Sequence, residues 1–335
     1  LLAALAPWLP PKLRRRKDVF HVIVLPDNRL VEAREGESLL DCALRDGIAF
    51  PFDCRNGGCG ACKCTIVYGS VDYGAYQKEA LTDRDRHAGM ALACCATALS
   101  DVELEYTPIA PLGGIAARRR RARVVSMDLL ADDVMRVRLE CVDREPVRFR
   151  AGQYLDILLD SGAGAVEKRS FSFATAPHVG GPIELHIRLV PGGKFTSHVF
   201  TRMRVGDELD FEGPLGSFFL REDSKKPMIF VAGATGFAPV KSMLEHAFHV
   251  GLERRMVLYW GVRSKKDLYL GELAERWAAE HPNFTFVPVL SEPRPEDHWT
   301  ARTGLVHEAI LQDYQSLAGF QIYACGSVKM VEAAH

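Results

Sequence analysis

The period of the apolar positions changes along the chain. From Val19 to Leu25 and from Arg29 to Arg34 apolar and polar residues alternate on either side of Pro26-Asp27-Asn28, the pattern of a hairpin. In the next stretch, GESLLDCALRDG, Leu39, Leu40 and Leu44 fall at helical spacing. Ser38 stands three residues before Asp41 and Gly47 can close the end, so a capped helix is expected, with Cys42 on it as a small core residue. KCTIVYGSV and DVELEY read as further strands, giving a small mixed sheet with one helix that ends near Tyr106. The prolines, paired glycines and arginines of TPIAPLGGIAARRRR then read as a linker, with Arg118 to Arg121 as its solvated charge. From Ala122 to about Leu220 short strands follow one another without intervening helices, which implies an antiparallel barrel or sandwich. From Pro227 strands alternate with helices (MIFVAGATG, KSMLEHAF, MVLYWGV, LGELAERWAA, FTFVPVL, GLVHEAIL, FQIYACGS), which implies a parallel sheet.

Length agrees with this division, since 335 residues exceed one ordinary core and suggest two or three domains. With 47% hydrophobic and 25% charged residues and a net charge of -1, the chain has the makeup of a soluble globular protein and lacks the positive field that attracts nucleic acid. Nine cysteines, an odd number spread unevenly and without a signal peptide, argue against a secreted disulfide scaffold and for a reducing compartment, the cytoplasm. The opening LLAALAPWLPPKLRRRK has an apolar stretch too short to span a bilayer. Its three readings are a loose arm, a surface that docks on a partner or membrane, and the end of a membrane helix that begins upstream.

The densest chemistry is CRNGGCGACKC, where Cys54, Cys59 and Cys62 have the C-x4-C-x2-C spacing of a plant-type [2Fe-2S] loop that takes a distant fourth thiol. Zinc ribbons want two C-x2-C pairs, whereas the late thiols Cys94 and Cys95 are adjacent, so zinc fits poorly. Gly57, Gly58 and Gly60 let the backbone turn its N-H groups inward around a compact anion. Cys64 opens an alternating strand and reads as core. Together with ALACCATALSDVELEY this loop resembles the plant-type ferredoxins, and the resemblance implies Cys94 as fourth ligand, with Cys95 where that family commonly has glutamine.

RSFSFATAP resembles the R-x-[Y/F]-S motif of the ferredoxin reductase superfamily. The resemblance implies that Arg169 meets the FAD pyrophosphate, Phe171 lies along the isoalloxazine, and Ser172 hydrogen-bonds N5 as a catalytic residue. HIRLVPGGKFTSHVF resembles the second flavin segment, which implies that His186, Ile187, Arg188, Gly193 and Thr196 line the same cofactor. In VAGATGFAPVKSM, Gly233, Thr235 and Gly236 form a glycine turn that enters a helix at Pro239, a good seat for a dinucleotide pyrophosphate. In the superfamily this turn does that work. YWGVRSKKDLY matches the next segment, with Gly261 at a strand end and Arg263 able to reach a ribose or phosphate. Cys325 and Gly326 in YACGS close the last strand, and the resemblance implies that Cys325 lies close to the nicotinamide C4 as a second catalytic residue.

The resemblance covers the chain from Phe20 onward, to the one-chain reductases of bacterial oxygenases and of deoxysugar dehydrases. It implies an N-terminal arm (1-17), a β-grasp [2Fe-2S] ferredoxin domain (18-107), a linker (108-121), an antiparallel FAD-binding β-barrel (122-223) and a parallel-sheet α/β NAD(P)-binding domain (224-335). The expected function is NAD(P)H-dependent electron transfer, with NADH favoured, through FAD and the cluster to an oxygenase or hydroxylase that is soluble or membrane-bound. The alternatives are a dehydrase as acceptor and a redox-sensing module without turnover. Many relatives end in an aromatic residue laid against the flavin, whereas this sequence ends at His335, in the helix expected after YACGS.

Overall fold

The computed structural model describes residues 19-108, 115, 117-160 and 166-334, so the expected arm at 1-17 lies outside the described residues. The chain forms two compact units, divided after position 111. Among the described residues no helix is long and apolar enough to cross a membrane.

In the first unit the hairpin is β1 (Val19–Leu25) and β2 (Arg29–Arg34), followed by α1 (Leu39–Arg45). Ser38 caps α1 as its sequence suggests: its Oγ accepts from the Asp41 N-H at 3.0 Å and donates to Asp41 Oδ2 at 2.7 Å. The unit continues through β3 (Lys63–Tyr68), β4 (Val71–Asp72), α2 (Asp83–His87), β5 (Met90–Leu92), β6 (Thr97–Ala98) and β7 (Val102–Tyr106). The sheet order is β2-β1-β7-β3-β5, with β1 and β7 parallel and the other neighbours antiparallel, the mixed sheet over one helix expected of a β-grasp domain. Val22, Val24 and Leu104 from the sheet and Leu39, Leu40 and Cys42 from α1 are buried. The first-turn N-H groups of α1 have no partner inside the helix. Those of Leu39 and Leu40 donate to the carbonyls of Ala96 and Ala93, which fastens the segment carrying Cys94 to the helix.

The second unit begins with β8 (Arg118–Ala131), β9 (Val134–Cys141), β10 (Tyr154–Asp160), β11 (Val166–Ser172), β12 (Ile183–Arg188), α3 (Lys194–Thr201) and β13 (Glu208–Leu215). The six strands form one antiparallel sheet, β11-β10-β13-β8-β9-β12, whose end strands β11 and β12 touch as the sheet curls round a core that includes Leu139, Leu155, Phe173 and Phe211. Two expectations are corrected here. Arg118 to Arg121 are not linker charge but the start of β8, because β13 offers an acidic partner strand: Arg119 and Arg121 reach Asp210 at 3.1 and 2.8 Å, and Arg120 pairs with Asp143. The barrel also contains a helix, α3, in the segment read only as a flavin-contacting turn.

The remainder alternates as expected: β14 (Met228–Gly233), α4 (Phe237–His249), β15 (Met256–Val262), α5 (Gly271–Glu280), β16 (Phe284–Leu290), β17 (Arg302–Thr303), α6 (Val306–Asp313), β18 (Gln321–Cys325) and α7 (Val328–Ala334). The strands are all parallel in the order β17-β16-β15-β14-β18. Both faces are covered, with Phe230, Leu258 and Trp260 packing on one side and Ile229, Val257 and Tyr259 on the other.

Leu104 is fully buried in the first unit. Leu104→Ala should lower that unit's unfolding free energy by about 2–5 kcal/mol in a chemical denaturation series followed at the cluster absorbance.

Candidate redox sites

The cysteine loop of the first unit enters β3. The Gly58 N-H points at Cys54 Sγ (3.4 Å), the Cys54 N-H at Cys59 Sγ (3.5 Å), and the Cys94 N-H at Cys62 Sγ (3.4 Å). These are the inward amides that an anionic cluster requires. Gly57 is needed on two counts, since its φ is +75° and a Cβ there would stand 2.8 Å from Cys95 Sγ and 2.9 Å from the Tyr76 backbone. The thiols form two hydrogen-bonded pairs, Cys54 with Cys59 and Cys62 with Cys94. Within each pair one thiol is drawn down by its neighbour, Cys54 to about 5 and Cys94 to about 7, while Cys59 and Cys62 are pushed up. Among the described residues no three His, Cys, Asp or Glu side chains gather as a single metal ion would need. Two pairs suit two irons, so the donor set fits a [2Fe-2S] cluster better than zinc. Cys64 is buried, its thiol faces the Ala91 carbonyl at 3.6 Å, and burial pushes it up to about 12, the behaviour of a core residue.

In the second unit the barrel and the parallel-sheet lobe share a cavity of about 920 Å³. Arg169, Phe171, Ser172, His186, Arg188 and Thr196 line it from the barrel. From the parallel-sheet lobe come Gly233, Thr235, Gly236 and Gly261, with Arg263, Cys325 and Gly326. Three expected residues are not among its lining. Side chains alternate along a strand, so Ile187, between His186 and Arg188 on β12, points into the barrel core and is buried there. Gly193 caps α3, where a Cβ would stand 2.7 Å from Thr196 Oγ1. Pro239 is buried in the first turn of α4, where its missing N-H costs no helical bond.

Local contacts set the geometry of the rest. Arg169 lies along its own strand, donating to Glu167 and to the Lys168 carbonyl at 2.8 Å each. Arg188 is held by Asp133 at 2.7 Å, and Phe171 leans on Phe195 with ring centroids 5.6 Å apart. Thr196 Oγ1 accepts from the Val190 N-H at 3.1 Å and so pins the turn before α3. The turn after β14 holds Ala234 at a left-handed φ of +47°, its carbonyl fixed by the Trp260 indole N-H at 3.0 Å. A Cβ on Gly236 would fall 2.0 Å from the Cys325 carbonyl oxygen, so this glycine is what lets the end of β18 approach the turn.

Sequence reasoning missed Tyr269 in the cavity wall and the polar groups behind it, Glu184 and Lys241. Burial pushes the Glu184 carboxyl up, but the hydrogen bond from His186 and the cations of Lys241 and Arg138 outweigh it and hold the group well below the usual carboxylate range. Burial pushes His186 down, with Glu184 opposing and Lys241 and Arg136 assisting. The available signal was Glu184, His186 and Arg188 at alternate positions of a strand whose other positions are apolar, which puts three polar side chains on one face.

Together these sites define an electron-transferring iron–sulfur flavoprotein with a nicotinamide-nucleotide lobe. Three family models match: a 2Fe-2S iron-sulfur cluster binding domain over residues 22-99, an oxidoreductase FAD-binding domain over 121-220 and an oxidoreductase NAD-binding domain over 230-335. The chain is 36% identical over 313 residues to the CDP-6-deoxy-L-threo-D-glycero-4-hexulose-3-dehydrase reductase of Yersinia pestis, covering 93% of this chain and 92% of that protein. It is also 36% identical to the phenol hydroxylase P5 protein of Acinetobacter pittii, over 94% of this chain and 89% of the other. Among solved structures, the Amycolatopsis cytochrome P450 reductase GcoB superposes with a TM-score of 0.74 at 37% identity, over 94% and 93% of the two chains. The chain belongs to the one-chain ferredoxin/FAD/NAD(P) reductases that serve oxygenases and deoxysugar dehydrases. It is an NAD(P)H-dependent oxidoreductase that carries a [2Fe-2S] cluster and FAD.

His186 and Glu184 both have folded-state values below their ordinary 6.5 and 4.5. Between folded and ordinary values the unfolded chain binds more protons, so their contribution to stability is present above each ordinary value and lost as pH falls below it. His186→Gln should therefore flatten the fall in the second unit's melting temperature on going from pH 7 to pH 5.5, read by a calorimetric pH series.

Proposed function

We propose that Cys54, Cys59, Cys62 and Cys94 are the cluster ligands, that the barrel wall at Arg169, Phe171, Ser172, His186, Arg188 and Thr196 holds FAD, and that Thr235, Gly236, Arg263, Cys325 and Gly326 hold the nicotinamide nucleotide. One observation carries this reading: a single cavity has both Ser172, at the end of β11, and Cys325, at the end of β18, in its wall. Once bound, nicotinamide supplies a hydride, flavin divides the electron pair, and the cluster accepts electrons one at a time. The protein's part is to position the reactants and to keep water from them. Ser172 offers a hydroxyl for hydrogen bonding to the flavin, and Gly236 lets the Cys325 backbone close on the pyrophosphate turn. The helix start at α3 adds first-turn N-H groups beside Thr196, a suitable anchor for the FAD pyrophosphate.

The lobe favours NADH over NADPH. Of the basic residues after β15, Lys266 is engaged with Asp132 at 2.6 Å, while Asp267, whose carboxylate accepts from the Ser264 N-H and hydroxyl at 3.0 Å, lines the cavity. A ribose 2'-phosphate there would meet that carboxylate, whereas a 2'-hydroxyl can donate to it. The electron acceptor is an oxygenase or hydroxylase component, the chemistry named for the Acinetobacter pittii relative. Mixing the reductase with purified hydroxylase components and, separately, with a hexulose dehydrase tests this choice through substrate-dependent NADH oxidation. Coupling to the dehydrase alone would overturn it.

Cys59→Ser should lose the visible absorbance and iron of the cluster and the one-electron reduction of cytochrome c, yet keep flavin bleaching by NADH. Ser172→Ala should bind FAD normally and slow that bleaching about 10- to 100-fold in stopped flow, the worth of one hydrogen bond to a group that gains charge.

A further inference from the structure

A chain of polar side chains runs from behind the cavity into its wall, which it reaches at His186 and Tyr269. Glu184 and His186 share the face of β12 turned away from the barrel core, and their side chains are only 8% and 0% exposed. Arg138 donates to Glu184 Oε2 at 2.9 and 3.1 Å, and Lys241 approaches Oε1 at 3.4 Å. Lys241, on α4, also donates to the Ala174 carbonyl at 3.1 Å and pairs with Glu245 at 3.0 Å, which ties the two lobes together. His186 Nε2 lies 3.0 Å from Glu184 Oε1, and His186 Nδ1 lies 3.0 Å from the Tyr269 hydroxyl.

Hydrogen-bond accounting fixes every proton in this chain. Glu184 faces two cations and stays ionised, so its oxygens only accept and His186 Nε2 must carry a hydrogen. Burial keeps His186 neutral, so Nδ1 is bare and must accept. The Tyr269 hydroxyl, kept protonated by its own burial, must then donate to Nδ1. Its only hydrogen is thereby committed, and its oxygen retains acceptor capacity alone. Tyr269 lines the cavity together with Cys325 and Thr235.

We infer that Tyr269, oriented through His186 by Glu184, is a specificity-determining acceptor for an amide N-H of the bound ligand, namely the carboxamide N-H of the nicotinamide ring. This rests on the assignment of the cavity to flavin and nicotinamide made above. The nicotinamide is chosen over the flavin imide because Tyr269 belongs to the parallel-sheet lobe and lines the cavity together with Cys325 and Gly326 of that lobe. A hydroxyl free to turn would accept from an amide or donate to a ketone. This one is held to the first role, so a ketone in place of the carboxamide leaves a buried acceptor unmatched.

The test is calorimetric titration of the FAD-loaded protein with NAD+ and with its 3-acetylpyridine analogue, which keeps the carbonyl and lacks the N-H. The wild type should bind NAD+ about tenfold more tightly, the worth of one hydrogen bond. Tyr269→Phe should bring the ratio near unity by weakening NAD+ alone, with FAD content unchanged. Glu184→Gln, which frees the His186 tautomer, should lower the ratio in part. Retention of the wild-type ratio in Tyr269→Phe, equal weakening of both dinucleotides, or loss of FAD with the ratio intact would each overturn the inference. Failure of the wild type to bind either dinucleotide would instead sink the nicotinamide assignment itself.

Discussion

A buried carboxylate can persist only if neighbouring charges and hydrogen bonds replace the water it has lost. In the second unit Glu184 meets that condition by drawing on both lobes: Arg138 and His186 from the barrel, and Lys241 from α4. The same lysine is bonded to the Ala174 carbonyl, and Ser242 beside it donates to the Thr175 carbonyl at 2.7 Å. The wall of the cavity is therefore set by a polar contact that leaves little freedom for one lobe to slide on the other. Reaction geometry depends on that wall, because hydride transfer is chiefly a matter of holding two rings in register.

Electron counting accounts for the remaining architecture. A nicotinamide gives two electrons together and a [2Fe-2S] centre takes one, so a flavin has to stand between them. The first unit supplies a loop whose amides face sulfur, and the second supplies the cavity. The chemistry is the cofactors' own. Among the described residues the protein contributes anchors, close backbone approaches at Gly57 and Gly236, and fixed hydrogen-bond directions.

Much of the fold was legible because its signals are local. Ser38 with Asp41, the alternation in β1 and β2, and the strand-helix rhythm after Pro227 each follow from neighbours within a few residues. The cysteine loop was legible for a related reason, since Cys54, Cys59 and Cys62 sit at a spacing that few other chemistries use. The failures were long-range. Nothing near Arg119 and Arg121 announces that Asp210 lies on the neighbouring strand, and α3 was hidden behind a glycine pair that reads as a turn. Ile187 is a local case: strand alternation sends its side chain into the core, between His186 and Arg188, which line the cavity.

By itself the sequence determined which chemistry is present: the thiol spacing, the flavin and nicotinamide segments, and the order of three modules. It did so because ligand type and local backbone conformation are properties of short stretches. Only the tertiary structure decided which polar groups face each other. Glu184, Lys241 and Tyr269 stand far apart along the chain, and the direction of the Tyr269 hydroxyl, in the turn before α5, is set through His186 by the Glu184 charge on β12. Burial and pairing depend on what folding brings together from distant segments, and no local pattern carries that information.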